Sequence, residues 1–182
     1  PDCHYNMAFA LQTLGRLSEA AGYYRQAIKL KPDYVEAHTN LGNALRELGS
    51  HHDAAACYER VIALKPSAEA HYNLANALSH LGQLSEAITA YQRALALKPG
   101  LVGAHNNLAN ALVAHGRSDE ALIHFQRALE LEPHLAVDDA RDVEHVGDQL
   151  RQRSRVPLDD LERVSCPLFV DATSGPCTSR QY

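Results

Sequence analysis

Residues 70–78 read AHYNLANAL. Leu74, Ala75, Ala77 and Leu78 fall at the spacing of one helical face, yet Asn73 and Asn76 stand three apart in the same turn. Asparagine disfavours helix interiors because its amide competes for nearby backbone hydrogen bonds. The phrase recurs as CHYNMAFAL at 3–11, AHTNLGNAL at 37–45 and AHNNLANAL at 104–112. A costly residue pair used in three of the four copies needs a reason that is itself repeated.

The rest of the chain keeps the same beat. Gly15, Gly49, Gly82 and Gly116 recur at intervals of 34, 33 and 34 residues, and Pro32, Pro66, Pro99 and Pro133 follow them. Between them stand Ala20, Ala54, Ala87 and Ala121, each followed four residues later by Tyr24, Tyr58, Tyr91 or Phe125. A period near 34 marks one supersecondary unit stacked on itself. Each unit reads as two helices. The first carries the asparagines and stops at the glycine. The second opens near Ser18 or Ser85 as an N-cap, with Glu19, Asp53, Glu86 and Glu120 where the helix dipole favours acids.

Ala87, Tyr91, Ala94 and Leu95 share one face of the second helix, and Leu74, Leu78 and Leu81 form the packed side of the first. The Cys3 slot, held by Ala37, Ala70 and Ala104 in the other units, is expected to hold a small buried side chain. A single helix pair cannot bury both of its faces, whereas a stack of four can. The predicted fold is an all-α right-handed superhelical solenoid with its first helices lining the concave side. Its repeats span 1–34, 35–67, 68–101 and 102–135. Val137, Ala140, Val143, Val146 and Leu150 keep helical spacing, so 136–153 is expected to be a capping helix, and 154–182 an irregular or disordered tail.

On this arrangement the asparagines form two columns. Asn6, Asn40, Asn73 and Asn107 each precede the glycine by nine residues; Asn43, Asn76 and Asn110 precede it by six, with Phe9 in the first copy. Residues three apart share a helix face, here the one looking into the groove. An amide offers two donors and two acceptor lone pairs, which matches the alternating N–H and C=O of an extended peptide. The same amides could instead bond between neighbouring helices and set the pitch of the stack. Tyr5, Phe9 and Tyr72 would add apolar contacts in the groove.

The spacing and the A-x₃-[YF]…P pattern, with Leu41-Gly42, Ala54, Tyr58 and Pro66 in the second unit, resemble tetratricopeptide repeats over residues 1–135. His4, His38, His71 and His105 replace the family's early tryptophan. The resulting AHxNLxNAL variant is most similar to the repeat arm of O-GlcNAc transferase and SPINDLY-type proteins and their bacterial relatives. That resemblance implies that Asn40, Asn73 and Asn107, and Asn6 in the shortened first unit, grip the backbone of bound protein segments. It also opens an alternative function, the non-catalytic substrate-recognition arm of a larger O-GlcNAc transferase-like glycosyltransferase.

Composition narrows the choice. The chain of 182 residues is 46% hydrophobic and 21% charged with a net charge of −5, which fits a globular protein and not a nucleic-acid binder. No run approaches the roughly 20 apolar residues of a membrane span, and no secretory signal is visible, so a cytoplasmic location is expected. The four cysteines form no C-x-x-C pair. Equivalent histidines in successive repeats would lie roughly 10 Å apart, too far to share a zinc ion. No nucleophile elbow, zinc-protease helix, P-loop or dinucleotide fingerprint occurs. The expectation is therefore no catalytic site, no metal and no cofactor. The expected partner is a protein or peptide, with self-association as a further possibility.

Overall fold

The computed structural model describes residues 1–131, and all of its regular structure there is helical. Eight helices follow in order: α1 (Asp2–Thr13), α2 (Leu17–Leu30), α3 (Val35–Glu47), α4 (His51–Leu64), α5 (Ala68–His80), α6 (Leu84–Leu97), α7 (Val102–Ala114) and α8 (Ser118–Leu131). Each odd helix packs on the even helix after it, and each even helix on the odd helix that follows. The result is the all-α stack of four helix pairs. The capping helix expected at 136–153 and the tail at 154–182 lie outside the described residues.

The tight turn within each pair comes from its glycine. Gly15, Gly49, Gly82 and Gly116 have φ of +74°, +79°, +74° and +85°, a left-handed conformation that side chains with a Cβ resist. With Gly15 so placed, its N–H donates to Gln12 C=O and the Arg16 N–H to Leu11 C=O, both at 2.9 Å. This double closure satisfies two carbonyls that the end of α1 would otherwise leave open. The same pair of bonds closes α3, α5 and α7.

That closure leaves no room for the expected serine caps. It delivers the chain so directly into the next helix that α2 and α6 begin at Leu17 and Leu84, with Arg16 and Gln83 at the cap positions and Ser18 and Ser85 already inside. Arg16 forms a bidentate pair with Glu19, at 2.7 Å for both bonds, as Arg117 does with Glu120. On the longer approach to α5, Ser67 does cap, accepting from the Ala70 N–H at 3.1 Å.

The core is built of small residues and one ring per repeat. Ala20, Ala54, Ala87 and Ala121 are fully buried, and Tyr24, Tyr58, Tyr91 and Phe125 are buried beside them. Alanine lets the two helices approach, and the aromatic one turn on fills the gap. Gly42 carries this furthest, because a Cβ added there would lie 2.7 Å from Cε1 of Tyr58. Two core expectations fail at edges. Cys3 is exposed, although Ala37, Ala70 and Ala104 are buried. Among the described residues α1 has no even helix before it to cover that position. Leu81 is also exposed, since it stands past the last turn of α5, whereas Leu78 is buried.

Replacing Gly49 with alanine puts a Cβ on a left-handed residue and should cost about 1–2 kcal/mol of stability. Urea unfolding followed by circular dichroism would measure it, and the secondary structure should stay unchanged.

Candidate functional site

The two asparagine columns have different partners. In the second column the amide oxygen serves the buried ring of its own repeat. The Tyr58 hydroxyl donates to Asn43 Oδ1 at 2.8 Å, and the Tyr91 hydroxyl to Asn76 Oδ1 at 2.7 Å. Burial pushes the Tyr24 and Tyr58 hydroxyls up to about 12 and Tyr91 higher still, so all three remain protonated donors at neutral pH. The first repeat has Phe9 where the asparagine belongs. There Gln12, three residues on and on the same face, accepts from Tyr24 at 2.7 Å. Sequence reading missed Gln12; the signal was Phe9, which removes an acceptor the Tyr24 hydroxyl still needs. In the fourth repeat Phe125 has no hydroxyl, and Asn110 is exposed.

The first column reaches across seams. Asn40 Nδ2 donates to the Tyr5 hydroxyl of the preceding repeat at 2.9 Å. Asn107 Nδ2 donates to the Tyr72 hydroxyl at 3.2 Å and to Asn76 Oδ1 at 2.8 Å. Tyr5 and Tyr72 are therefore seated between repeats: Tyr5 stacks on Tyr34 with centroids 5.1 Å apart, and Tyr72 lies against Tyr91 at 6.1 Å. Asn73 differs. Thr39 stands where a tyrosine would meet it, and among the described residues no hydrogen-bond partner reaches its half-buried amide. Asn6 and Phe9 are exposed on α1. Both columns lie on the odd helices, so the face formed by α1, α3, α5 and α7 carries every candidate residue.

The histidines of the repeated motif pack between helices. His38 and His105 each place Nε2 3.0 Å from a proline carbonyl, Pro32 and Pro99 respectively. His105 Nδ1 also lies 3.1 Å from His124 Nδ1, while His71 Nδ1 is buried with no partner among the described residues. Burial pulls the His71 and His124 values below the ordinary imidazole range, with Arg93 adding to the first and His105 to the second. Among the described residues no group of three or more His, Cys, Asp or Glu could hold a metal ion, and no helix is long and apolar enough to cross a membrane. Burial pushes the Cys57 thiol up to about 11, which makes it a poor nucleophile.

Tetratricopeptide repeat models match residues 13–49, 39–102 and 102–135. Among solved structures, MamA 41-end from Desulfovibrio magneticus RS-1 is 30% identical with a TM-score of 0.70, covering 73% of this chain and 76% of that one. A crystal structure of MamA superimposes with a TM-score of 0.72 at 26% identity, covering 80% and 86%. YrrB, described as a TPR protein with an unusual peptide-binding site, gives a TM-score of 0.65 at 25% identity over 71% and 68%. No curated protein sequence matches the chain.

Tyr58→Phe removes the donor to Asn43 without changing the ring and should lower stability by about 0.5–1.5 kcal/mol in urea unfolding. The lowered histidines predict a pH dependence. A folded-state value below the unfolded 6.5 gives stability that is present above that pH and lost as pH falls through the lowered values. The melting temperature should therefore drop between about pH 7.5 and 5.5. The drop should shrink in His124→Ala, which installs the residue that repeat three has at Ala90.

Proposed function

This chain belongs to the tetratricopeptide repeat family, and we propose that the face formed by α1, α3, α5 and α7 binds an extended segment of a partner protein. The observation that carries the proposal is Asn73, an amide on that face that the stack itself does not use. Asn40 and Asn107 flank it one repeat away on either side. Each spends donor capacity on a tyrosine but has two donors and two lone pairs in all. A peptide laid along the face therefore meets amides at each repeat, able to pair with its main chain and indifferent to most of its side chains. The similarity to YrrB, described as carrying a peptide-binding site, supports the same reading.

The AHxNLxNAL motif favours a second reading, in which this array is the substrate-selecting arm of a larger glycosyltransferase in the cytoplasm. A glycosyltransferase domain in the same reading frame would decide for it. A second copy of the chain is the competing occupant of the face, and light scattering across a concentration series would detect it.

Peptide-array binding tests the first reading. Asn73→Ala should weaken binding about two- to tenfold, the worth of one hydrogen bond, without lowering the melting temperature, since alanine is the better helix former. Asn40→Ala and Asn107→Ala should weaken binding and also lower stability, because each breaks a seam. Unchanged binding in all three folded variants would move the partner site off this face.

A further inference from the structure

The three seams between repeats are not equivalent. At the first, the Tyr5 ring lies on Tyr34 and beside Tyr24, 5.8 Å between centroids, with its hydroxyl receiving Asn40 Nδ2. At the third, the Tyr72 ring lies beside Tyr91 and its hydroxyl receives Asn107 Nδ2. At the second, the equivalent residue is Thr39, and its hydroxyl turns back to the Val35 carbonyl of its own helix at 2.9 Å. A cavity of about 270 Å³ stands at this seam.

Two of its walls are the counterparts of the tyrosine's partners at the other seams: Tyr58 takes the place of Tyr24 and Tyr91, and Asn73 that of Asn40 and Asn107. Gly42, where the other repeats carry Ala8, Ala75 and Ala109, lets the Tyr58 ring lie close against α3. The donor that reaches a phenol at both other seams is present here with no partner among the described residues. The Asn73 amide is half-buried and is not sealed from water, so a ligand atom would take the place of a water at its donor.

We infer that this pocket takes a tyrosine side chain from the bound segment, its ring against Tyr58 and its hydroxyl accepting from Asn73 Nδ2. Only the source of that tyrosine rests on the groove reading above; the slot itself follows from the two filled copies. Lys65 and Glu69 both line the cavity, and Glu69 is held by Lys98 at 3.3 Å; the choice of a neutral phenol rests on Tyr5 and Tyr72, whose unmodified hydroxyls fill the other two seams. The preference would give the array side-chain selectivity that main-chain pairing alone does not provide. One position of the partner would be read as tyrosine while its neighbours stay variable.

The test is a ¹H–¹⁵N NMR titration of the full 182-residue chain with N-acetyltyrosinamide, N-acetylphenylalaninamide and the phosphotyrosine amide. The tyrosine amide should shift the signals of Thr39, Ala70 and Asn73. It should bind about two- to tenfold tighter than the phenylalanine amide, the worth of one hydrogen bond. Asn73→Leu should erase that preference. Thr39→Tyr should fill the slot as Tyr5 and Tyr72 do, raise the melting temperature and abolish saturable shifts. The inference is overturned by no saturable shift up to the solubility of the probe, by shifts elsewhere on the chain, by full binding to Thr39→Tyr, or by tighter binding of the phosphorylated amide. Failure here with arrayed peptides still bound would reject the pocket and keep the groove. A tyrosine amide that binds where no peptide does would keep the pocket and reject the groove.

Discussion

A tyrosine hydroxyl buried inside each of the first three helix pairs is the constraint from which the rest of the array follows. Alanines bring the two helices so close that the ring beside them is sealed from water, and a sealed hydroxyl without a partner is costly. The partner has to come from the facing helix, at the one height the hydroxyl can reach. Asn43 and Asn76 stand at that height, and Gln12 does so one turn later where Phe9 has displaced the usual residue. This is why helices that gain nothing from asparagine as a helix former carry it repeatedly. The fourth repeat supplies the converse case: once the ring is Phe125, Asn110 is released to the surface.

The second consequence concerns how repeats join. In a stack held by nearest-neighbour contacts, each seam contributes separately to stability. Two of the three seams are closed by a tyrosine from one repeat and an asparagine from the next. The middle seam has a threonine and a cavity instead. Of the three asparagines at the seams, Asn73 at the middle one, where a long ligand spanning the face would have to pass, has no hydrogen-bond partner among the described residues. Thr39 in the place of a tyrosine leaves this seam without the ring and the hydrogen bond of the other two, and with a recess of about 270 Å³.

The fold was legible because its determinants are periodic and local. Four glycines at one interval, each requiring a left-handed turn, together with the alanine–aromatic pair, leave few alternatives to stacked helix pairs. The serine caps were misplaced because the glycine turn and the next helix share residues, so the cap falls two positions earlier than the serine. Cys3 was misassigned by analogy with internal repeats that have a neighbour its own helix lacks. The asparagine face was legible, but the division of labour along it was not. Whether an amide is engaged by the stack depends on a residue 34 or 35 positions back: Tyr5 for Asn40, Thr39 in the neighbourhood of Asn73, Tyr72 for Asn107. Gln12 was invisible for a related reason, since a side chain one turn away can take over a hydrogen bond when its length compensates.

Asn73 keeps its amide out of the stack while Asn40 and Asn107, one repeat away on either side, join the repeats. Side-chain amide hydrogen exchange, read by ¹⁵N NMR at Asn40, Asn73 and Asn107 in the unliganded chain, tests this most directly. Exchange should be slowed at Asn40 and Asn107 and, at Asn73, run closer to the rate of an exposed amide. Equal protection at all three would mean that the stack engages every amide alike, and that no position on this face is kept for another chain.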